Sequence, residues 1–391
     1  MTDVQSSMAR EHMQRICFVV SSPLTAHAFL TDQIRALSAH YDVHLVVNAD
    51  LSTITHADLR RATLHRARIE RSISPLADFA ALIQLIGILR RGRYAAVHSL
   101  TPKAGLLCAI AAFLVRIPIR LHTFTGQVWA IRQGAGRWLL KALDRVIARL
   151  DTHVLVDSTS QRAFLRAQKV LGARAGEVLG KGSVCGVDAD RFRPDPAARA
   201  AIRTGLAIPE TAIVFLFVGR LTRDKGVSEL GAAFSEVARG RDDTYLVMVG
   251  PDEEALGASI QAACGPPATH LRFVGLTGEP ERFMAAADVF CLPSHREGFG
   301  SVIIEAAATG LPAIGSRIYG VIDAIEDGTT GLLVDAGDVT ALAGAMRRMA
   351  DDGGLRRSLG TAARARALRD FSKQTLTAGL VDFYRRLVPP A

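Results

Sequence analysis

The sequence lacks the patterns of a disulfide-rich, zinc-binding or membrane-spanning protein. Its 391 residues include only five cysteines, an odd number with no CxxC spacing, so reduced thiols in a cytosolic protein are expected. The longest uncharged apolar run, 104–115, is shorter than the roughly 18 residues that a membrane-spanning helix requires. No apolar segment precedes a signal-peptide cleavage site, and residues 1–14 are predicted to be a disordered leader.

The usual signatures of dinucleotide and nucleic-acid binding are missing as well. No GxGxxG follows the first predicted strand, which disfavours a dinucleotide-dependent dehydrogenase. There is no zinc spacing, RNP-like aromatic motif or recognition helix, so nucleic acid is not an expected partner. A non-catalytic protein that binds nucleic acid or a membrane through its basic charge is kept as an alternative.

The sequence does contain a strongly basic first half. Residues 1–200 carry 27 Lys and Arg against 15 Asp and Glu, a net charge of +12. Residues 201–391 carry 20 against 23, a net charge of −3. A basic face suits an acidic ligand or an anionic lipid surface. The two halves are therefore expected to meet different partners.

Short β-branched runs alternate with longer helical periods, which predicts an α/β protein with parallel sheets. Prolines at 194 and 196 interrupt the alternation, and it restarts near residue 213. Two doubly wound domains are predicted, over residues 1–190 and 191–371, with a final helix in 372–391 that packs back toward the first. Because ligands bind such sheets at the carboxyl ends of strands, the site is expected in a cleft between the domains.

The strongest chemical signal is a glycine-bearing turn before a helix that starts near Ser301. Gly298 and Gly300 allow the backbone to approach a ligand closely, and the free N–H groups of a helix start favour a diphosphate. Two carboxylates flank the turn. Glu305 lies about one helical turn beyond Ser301 and can reach a ribose, whereas Glu297 lies in the loop and can touch the transferred group.

Glu297 and Glu305, separated by seven residues and followed by Ala-Ala-Ala-Thr-Gly-Leu-Pro, resemble the EX7E signature of family 4 glycosyltransferases. Segments 218–226 and 186–194 resemble the family's donor-phosphate loop and interdomain segment. Segments 98–105 and 122–127 resemble the first domain of bacterial members that build surface polysaccharides on polyprenyl diphosphate carriers.

This resemblance implies the GT-B fold, in which two Rossmann-like domains face each other across a cleft. It also implies a metal-independent, retaining hexosyl- or N-acetylhexosaminyltransferase. Its donor would be a nucleotide sugar, with UDP expected, and its acceptor a polyprenyl-diphosphate-linked glycan. No cofactor is expected apart from the donor substrate.

Carried over residue by residue, the resemblance implies that Arg220 and Lys225 bind the donor diphosphate. Glu305 would hold the ribose hydroxyls and Glu297 a hydroxyl of the donor sugar, while His122 would lie near the anomeric centre. The residues expected to act in catalysis are His122, Glu297, Arg220 and Lys225. The donor site is completed by Gly219, Gly298, Phe299, Gly300, Ser301 and Glu305. Acceptor contacts are expected from Ser22, Thr25, Lys103 and Gly126.

A basic, aromatic-bearing helix predicted over 129–150 suggests a further partner. Trp129 and Trp138 share this segment with five Arg and Lys side chains, a composition typical of helices that lie on membranes. Roughly four to six cations at about 1 kcal/mol each would give weak binding that salt reduces. The predicted location is the cytoplasm, peripherally on the inner face of the cytoplasmic membrane. An ordinary helix with a charged outer face is the alternative.

Two other enzymatic functions are compatible with the same fold. A GT-B transferase could act on a soluble acceptor. A nucleotide-sugar epimerase also has two facing α/β domains and would convert a UDP-sugar without any acceptor.

Overall fold

The computed structural model describes residues 13–70, 72–172 and 176–389. It divides the chain into two compact units, the first comprising Met1–Cys185 with Lys373–Ala391 and the second Gly186–Ser372. The boundary thus falls after Cys185, whereas the sequence suggested residue 190. The predicted leader, 1–14, lies outside the described residues except for 13 and 14.

The first unit contains a six-stranded parallel sheet in the order β3-β2-β1-β4-β5-β6. Its strands are β1 (Arg15–Val19), β2 (Asp42–Val47), β3 (Thr63–Arg66), β4 (Ala96–Leu100), β5 (Ile119–Phe124) and β6 (His153–Val156). Its helices are α1 (Pro23–Phe29), α2 (Thr31–Leu37), α3 (Pro75–Gly92), α4 (Pro102–Val115), α5 (Gly134–Leu150) and α6 (Thr159–Ala167).

The second unit repeats this design with the order β12-β11-β10-β7-β8-β9. Its strands are β7 (Ile213–Val218), β8 (Thr244–Val249), β9 (Leu271–Gly275), β10 (Val289–Leu292), β11 (Ala313–Ser316) and β12 (Gly331–Val334). Its helices are α7 (Pro196–Gly205), α8 (Val227–Ala238), α9 (Gly257–Cys264), α10 (Pro280–Ala286), α11 (Ser301–Ala308), α12 (Val321–Ala324), α13 (Val339–Asp351) and α14 (Gly353–Asp370). The predicted class, α/β with two doubly wound parallel sheets, is confirmed.

The last helix, α15 (Lys373–Leu387), belongs to the first unit. Its apolar side is buried there, and it packs against α2. Tyr384 lies fully buried with its hydroxyl 2.9 Å from Nδ1 of His98, and the Tyr41 hydroxyl donates to the carbonyl of Val388 at 2.8 Å. These contacts explain how a segment distant in sequence completes the first core.

Each sheet has one position where the chain reverses its direction of winding. In the first unit this switch lies between the adjacent strands β1 and β4, and in the second between β7 and β10. The loops that follow two such strands lead to helices on opposite faces of the sheet and form a crevice at its carboxyl edge, where doubly wound proteins bind their ligands. The two crevices therefore mark where functional side chains should be sought.

No helix in the described part of the chain combines the length and the apolar character needed to cross a bilayer. The longest of the described helices, α3 and α14, each have 18 residues, and both end in charged turns.

A buried cation organises the second unit at the edge opposite its crevice. Arg203 is 1% exposed, and its guanidinium donates to four backbone carbonyls and to Asp288 at 2.7 Å. Asp288 also accepts from the backbone N–H of Val214 at the start of β7. Because these bonds tie one side chain of α7 to the segments that precede β7 and β10, the guanidinium fixes α7 against the start of both strands.

Replacing this guanidinium should strongly destabilise the second unit. We expect Arg203→Met to lower the free energy of unfolding by about 3–5 kcal/mol, because the substitution removes a buried charged partner of Asp288 and a donor to four backbone carbonyls. The matched control is Arg347→Met, which removes an exposed ion pair to Glu236 and should cost less than about 1 kcal/mol. Urea-induced unfolding measures both, and equal losses would contradict the assigned role of Arg203.

Candidate functional site

The loop between β7 and α8 forms one side of the crevice in the second unit. It contains a short 3-10 turn, Arg223–Lys225, and then Gly226, whose φ of +67° is in the left-handed region. A Cβ atom at Gly226 would lie 2.0 Å from the carbonyl oxygen of Pro293. Only glycine fits this position, because the backbone of the β10–α11 loop passes directly against it.

The loop between β10 and α11 forms the other side. Gly300 caps the N-terminus of α11 with a φ of +77°, which leaves the first N–H groups of the helix facing out of the turn. Phe299 is buried against Phe371, and this contact holds the turn on the core of the unit. The arrangement predicted from the glycine spacing, a strand, a glycine turn and a helix start at Ser301, is present as expected.

A salt bridge joins the two loops across the crevice. Nζ of Lys225 lies 2.6 Å from Oε1 of Glu297, and the side chains are only 18% and 12% exposed. The buried hydroxyl of Ser294 donates to the same oxygen at 2.8 Å. The structure thus brings together a cation and a carboxylate for which the sequence predicted neighbouring ligand groups.

Arg220 lies in the same β7–α8 loop, near its start. Its guanidinium is 2.8 Å from Oε2 of Glu253, a residue of the loop after β8, and both side chains are more than one-third exposed. An exposed ion pair of this kind contributes little to stability, so a ligand anion can compete for the cation at small cost.

Glu305 lies on α11 and is half-buried. Burial of the carboxyl group raises the pKa of Glu305 to about 7, an effect that the nearby Glu281 increases and Arg191 opposes. A carboxyl group that is partly protonated near neutral pH, beside a crevice, is typical of a ligand-binding position.

The predicted acceptor residues of the first unit follow three neighbouring strands at the carboxyl edge of its sheet. Ser22 and Thr25 follow β1, and their hydroxyl oxygens are 2.9 Å apart, with Ser22 capping α1. Lys103 follows β4, and Gly126 follows β5 with a φ of +110°. Lys103 is engaged within the unit, because its ammonium group lies 2.6 Å from Asp78 and also donates to the carbonyl of Ser72.

His122 does not occupy the surface position that its expected role requires. It lies within β5, is 1% exposed, and has Nδ1 2.8 Å from the hydroxyl of Ser99. Helix α4 covers the ring so closely that a Cβ atom on Gly105 would be 2.4 Å from it. Burial lowers the pKa of His122 to about 3, so the imidazole is neutral. The structure therefore supports a packing role and corrects the expected contact with the anomeric centre.

Trp129 is also inside the protein. Helix α5 begins at Gly134, and the preceding indole is 1% exposed with its N–H donating to Asp144 at 2.6 Å. Burial raises the pKa of Asp144 to about 6. The guanidinium of Arg137 and the ammonium of Lys141 lie over the indole ring. The indole therefore supports the helix from within and does not face a membrane.

Several polar side chains in the second crevice were not predicted. Ser294 bonds Glu297, as described above, and Asp224 and Arg296 form a second ion pair beside the first, at 2.7 Å. The sequence did carry a signal, since one loop contains Asp-Lys and the other Arg-Glu. The acidic residue comes first in one dipeptide and second in the other, so opposite charges face each other when the two loops lie side by side. Within the described residues, no group of three His, Cys, Asp or Glu side chains could hold a metal ion.

Comparison with known families explains the two-unit design. Residues 198–366 match the family model for glycosyl transferases group 1, and residues 25–180 match that for the glycosyl transferase 4-like domain. Each model covers most of one unit. The chain belongs to the GT-B glycosyltransferases. The crevice residues of the second unit, from Gly219 to Glu305, lie within the group 1 match.

Relatives of this glycosyltransferase differ in their donors and acceptors. A capsular polysaccharide biosynthesis glycosyltransferase of Staphylococcus aureus is 29% identical over 88% of this chain and 89% of its own. A UDP-Gal:alpha-D-GlcNAc-diphosphoundecaprenol alpha-1,3-galactosyltransferase of Escherichia coli is 27% identical over 72% and 73%. A GDP-mannose-dependent phosphatidylinositol monomannoside mannosyltransferase of Mycobacterium tuberculosis is 36% identical, over only 51% of this chain and 54% of its own.

The fold of this glycosyltransferase is shared with solved structures. The sucrose-phosphate synthase of Thermosynechococcus elongatus superimposes with a TM-score of 0.79 over 97% of this chain and all of its own, at 23% identity. At that level of identity the likeness shows the two-domain fold alone.

Proposed function

We propose that this chain is a retaining family 4 glycosyltransferase that moves a hexose or N-acetylhexosamine from a UDP-sugar to a polyprenyl-diphosphate-linked glycan. The observation that carries the proposal is the 2.6 Å contact between Lys225 and Glu297. It places a cation suited to a diphosphate next to a carboxylate suited to sugar hydroxyls. A nucleotide sugar requires those two groups side by side at the bond that breaks.

The charge distribution of the crevice matches the demands of this bond cleavage. As the bond between the anomeric carbon and the phosphate oxygen breaks, negative charge develops on the diphosphate and positive charge on the sugar ring. Lys225, Arg220 and the free N–H groups at Ser301 would stabilise the diphosphate. In other enzymes one such preorganised donor is worth about 10²–10³ in rate. Fixed cations would also perform the task of a magnesium ion, which makes the proposed transfer metal-independent.

Glu297 can bind the sugar without leaving Lys225. The two contacts that the described residues make to its carboxylate both use Oε1. Its second oxygen, Oε2, is then the acceptor for a hydroxyl of the donor sugar. Glu305, about one turn into α11, would accept hydrogen bonds from the ribose hydroxyls.

Retention of configuration is proposed on the strength of the EX7E pattern. The acceptor hydroxyl would attack the anomeric carbon on the face from which the diphosphate departs. The new bond joins that carbon to the acceptor oxygen, the bond to the phosphate oxygen breaks, and the acceptor's proton passes to the departing diphosphate. Lys225 and Arg220 would hold the diphosphate in place to receive this proton.

The donor and acceptor classes rest on charge and on relatives. A UDP-sugar and a diphosphoundecaprenol-linked acceptor are named for the Escherichia coli relative, and a capsular polysaccharide for the Staphylococcus aureus one. The net charge of +12 in residues 1–200 suits an acceptor that carries a diphosphate. Ser22, Thr25 and Gly126 follow strands at the carboxyl edge of the first sheet, where such an acceptor would approach.

The direct test is transfer from UDP-sugars to a lipid-linked acceptor, with release of UDP. We expect Glu305→Ala to reduce this activity more than about tenfold while the variant remains folded, because the ribose hydroxyls lose the carboxylate that accepts their hydrogen bonds. The matched control is Glu326→Ala, an exposed carboxylate elsewhere in the second unit. Turnover of UDP-sugar without an acceptor would indicate an epimerase, and turnover with a soluble acceptor or a GDP-sugar would change the substrate assignment.

The raised pKa of Glu305 predicts a pH dependence for donor binding. Ribose hydroxyls are donors and favour the carboxylate, so protonation near the pKa of about 7 competes with binding. The affinity for a UDP-sugar should be nearly constant above about pH 8 and fall about tenfold from there to about pH 6. Glu305→Gln should bind more weakly and lose this dependence. Calorimetry measures both, and a wild-type affinity that stays flat across this range would contradict the prediction.

We also propose a peripheral location on the inner face of the cytoplasmic membrane. Ten of the 13 large apolar side chains that are exposed among the described residues belong to the first unit, which is also the basic one. At the start of α5 they include Ile131, Trp138 and Leu139, of which Trp138 is 68% exposed. Exposed Arg132 and Arg149 accompany them. Apolar side chains framed by cations suit an anionic lipid surface.

Vesicle sedimentation tests this membrane contact. The protein should bind vesicles of phosphatidylglycerol, bind phosphatidylcholine vesicles weakly, and dissociate as salt rises. The variant Trp138→Ala with Leu139→Ala should bind at least about fivefold more weakly, because it loses the inserted apolar area. The control, Leu276→Ala with Ile322→Ala, removes exposed apolar side chains from the second unit and should bind as the wild type does. Equal loss in both would contradict the assigned face.

A further inference from the structure

Three consecutive residues of the β10–α11 loop are each bonded to a different residue of the segment 224–229. His295 lies with Nε2 2.8 Å from Oε1 of Glu229. Arg296 donates to Oδ2 of Asp224 at 2.7 Å, and Glu297 accepts from Lys225 at 2.6 Å. The proposed function assigns a ligand to the last pair only. The first two pairs require another explanation.

Asp224 is the centre of these additional contacts. Its carboxylate accepts from the hydroxyl of Thr222 at 2.5 Å as well as from Arg296, and its backbone carbonyl accepts from the N–H of His295 at 2.9 Å. Burial would raise the pKa of Asp224, but the bonds from Thr222 and Arg296, with the charge of Lys225, outweigh it and keep the pKa below its ordinary value. Asp224 is therefore an anion with both oxygens bonded.

The side chains of Arg296 and Asp224 are buried enough for their ion pair to restrain the two loops. Those of Arg296 and Asp224 are 21% and 18% exposed, compared with 82% for Arg223 in the same turn. A partly buried carboxylate that accepts hydrogen bonds at both oxygens restrains its partner more strongly than a carboxylate in a surface ion pair does. Since Asp224 precedes Lys225 and Arg296 precedes Glu297, each member of this pair adjoins one member of the ligand-binding pair.

We propose that Asp224 and Arg296, supported by Glu229 and His295, are positioning residues that clasp the two crevice loops and hold Lys225 and Glu297 in register for the donor. This inference rests on the proposed function and extends it to residues that touch no substrate. The clasp preorganises the charges that would otherwise have to be assembled by the donor itself. Loosening it should cost catalytic rate because a misplaced charge stabilises the departing diphosphate less well.

A mutant cycle with transfer kinetics tests this clasp. Asp224→Asn, Arg296→Gln and the double variant should each lose about tenfold or more in kcat. Because both substitutions break the same contact, kcat of the double variant should be within about twofold of that of the less active single variant. Arg296→Lys, which keeps the charge, should retain activity within about threefold of the wild type. The control, Arg223→Gln, makes the same chemical change in the exposed neighbour and should leave kcat unchanged.

Hydrogen exchange provides a readout that needs no substrate. Asp224→Asn should speed exchange in residues 294–300, and Arg296→Gln should speed it in residues 220–226, because each variant releases the opposite loop. Loosening of only the substituted loop would overturn the clasp, as would a double variant whose losses multiply. If Arg296→Gln lowered kcat and Asp224→Asn did not, Arg296 would instead be a direct substrate contact.

The proposed function and the clasp can fail separately. If the wild-type protein transferred no sugar, but each variant still sped hydrogen exchange in the opposite loop, the proposed function would be refuted and the clasp would stand.

Discussion

The structure depends most on the close approach of two loops at the winding switch of the second sheet. Gly226 lacks a Cβ atom at the point where the carbonyl of Pro293 passes, and this contact allows the backbones of the two loops to lie against each other. The 3-10 turn before it and the glycine turn after Pro293 then present opposite charges to each other. Lys225 and Glu297 meet as a consequence of backbone packing, so the chemistry of the site follows from the topology of the sheet.

The same switch occurs in the first unit, but its crevice has a different character. Its loops carry hydroxyls and a lysine that is already paired with Asp78, and the unit around them is basic with most of the exposed apolar side chains. The second unit, Gly186–Ser372, carries 20 Lys and Arg against 25 Asp and Glu, a net charge of −5, and the cations Arg220, Lys225 and Arg296 lie in the loops of its crevice. This asymmetry favours donor binding in the second unit and binding of a lipid-linked acceptor in the first.

The sequence predicted the parts of the fold that local patterns determine. The alternation of apolar runs and helical periods predicted both parallel sheets, and the spacing of Gly298, Gly300 and Ser301 predicted the strand, turn and helix that the structure contains.

The sequence did not predict which side of an element faces the core. His122 and Trp129 are of residue types common at functional surfaces, yet both are buried, because α4 covers one ring and Asp144 accepts from the other. Lys103 and Asp78 are separated by 25 residues and meet only in the folded unit. Reversed charge orders in two distant loops likewise become a contact only after the sheet has formed.

The most direct measurement is a crystal structure of the protein with UDP bound. We expect density for the diphosphate within hydrogen-bonding distance of Nζ of Lys225 and the N–H groups at the start of α11, with the ribose against Glu305. We also expect Asp224 and Arg296 to remain paired in that complex. Nucleotide bound away from the turn between Pro293 and Ser301, or a ribose that does not contact Glu305, would contradict the proposed donor site.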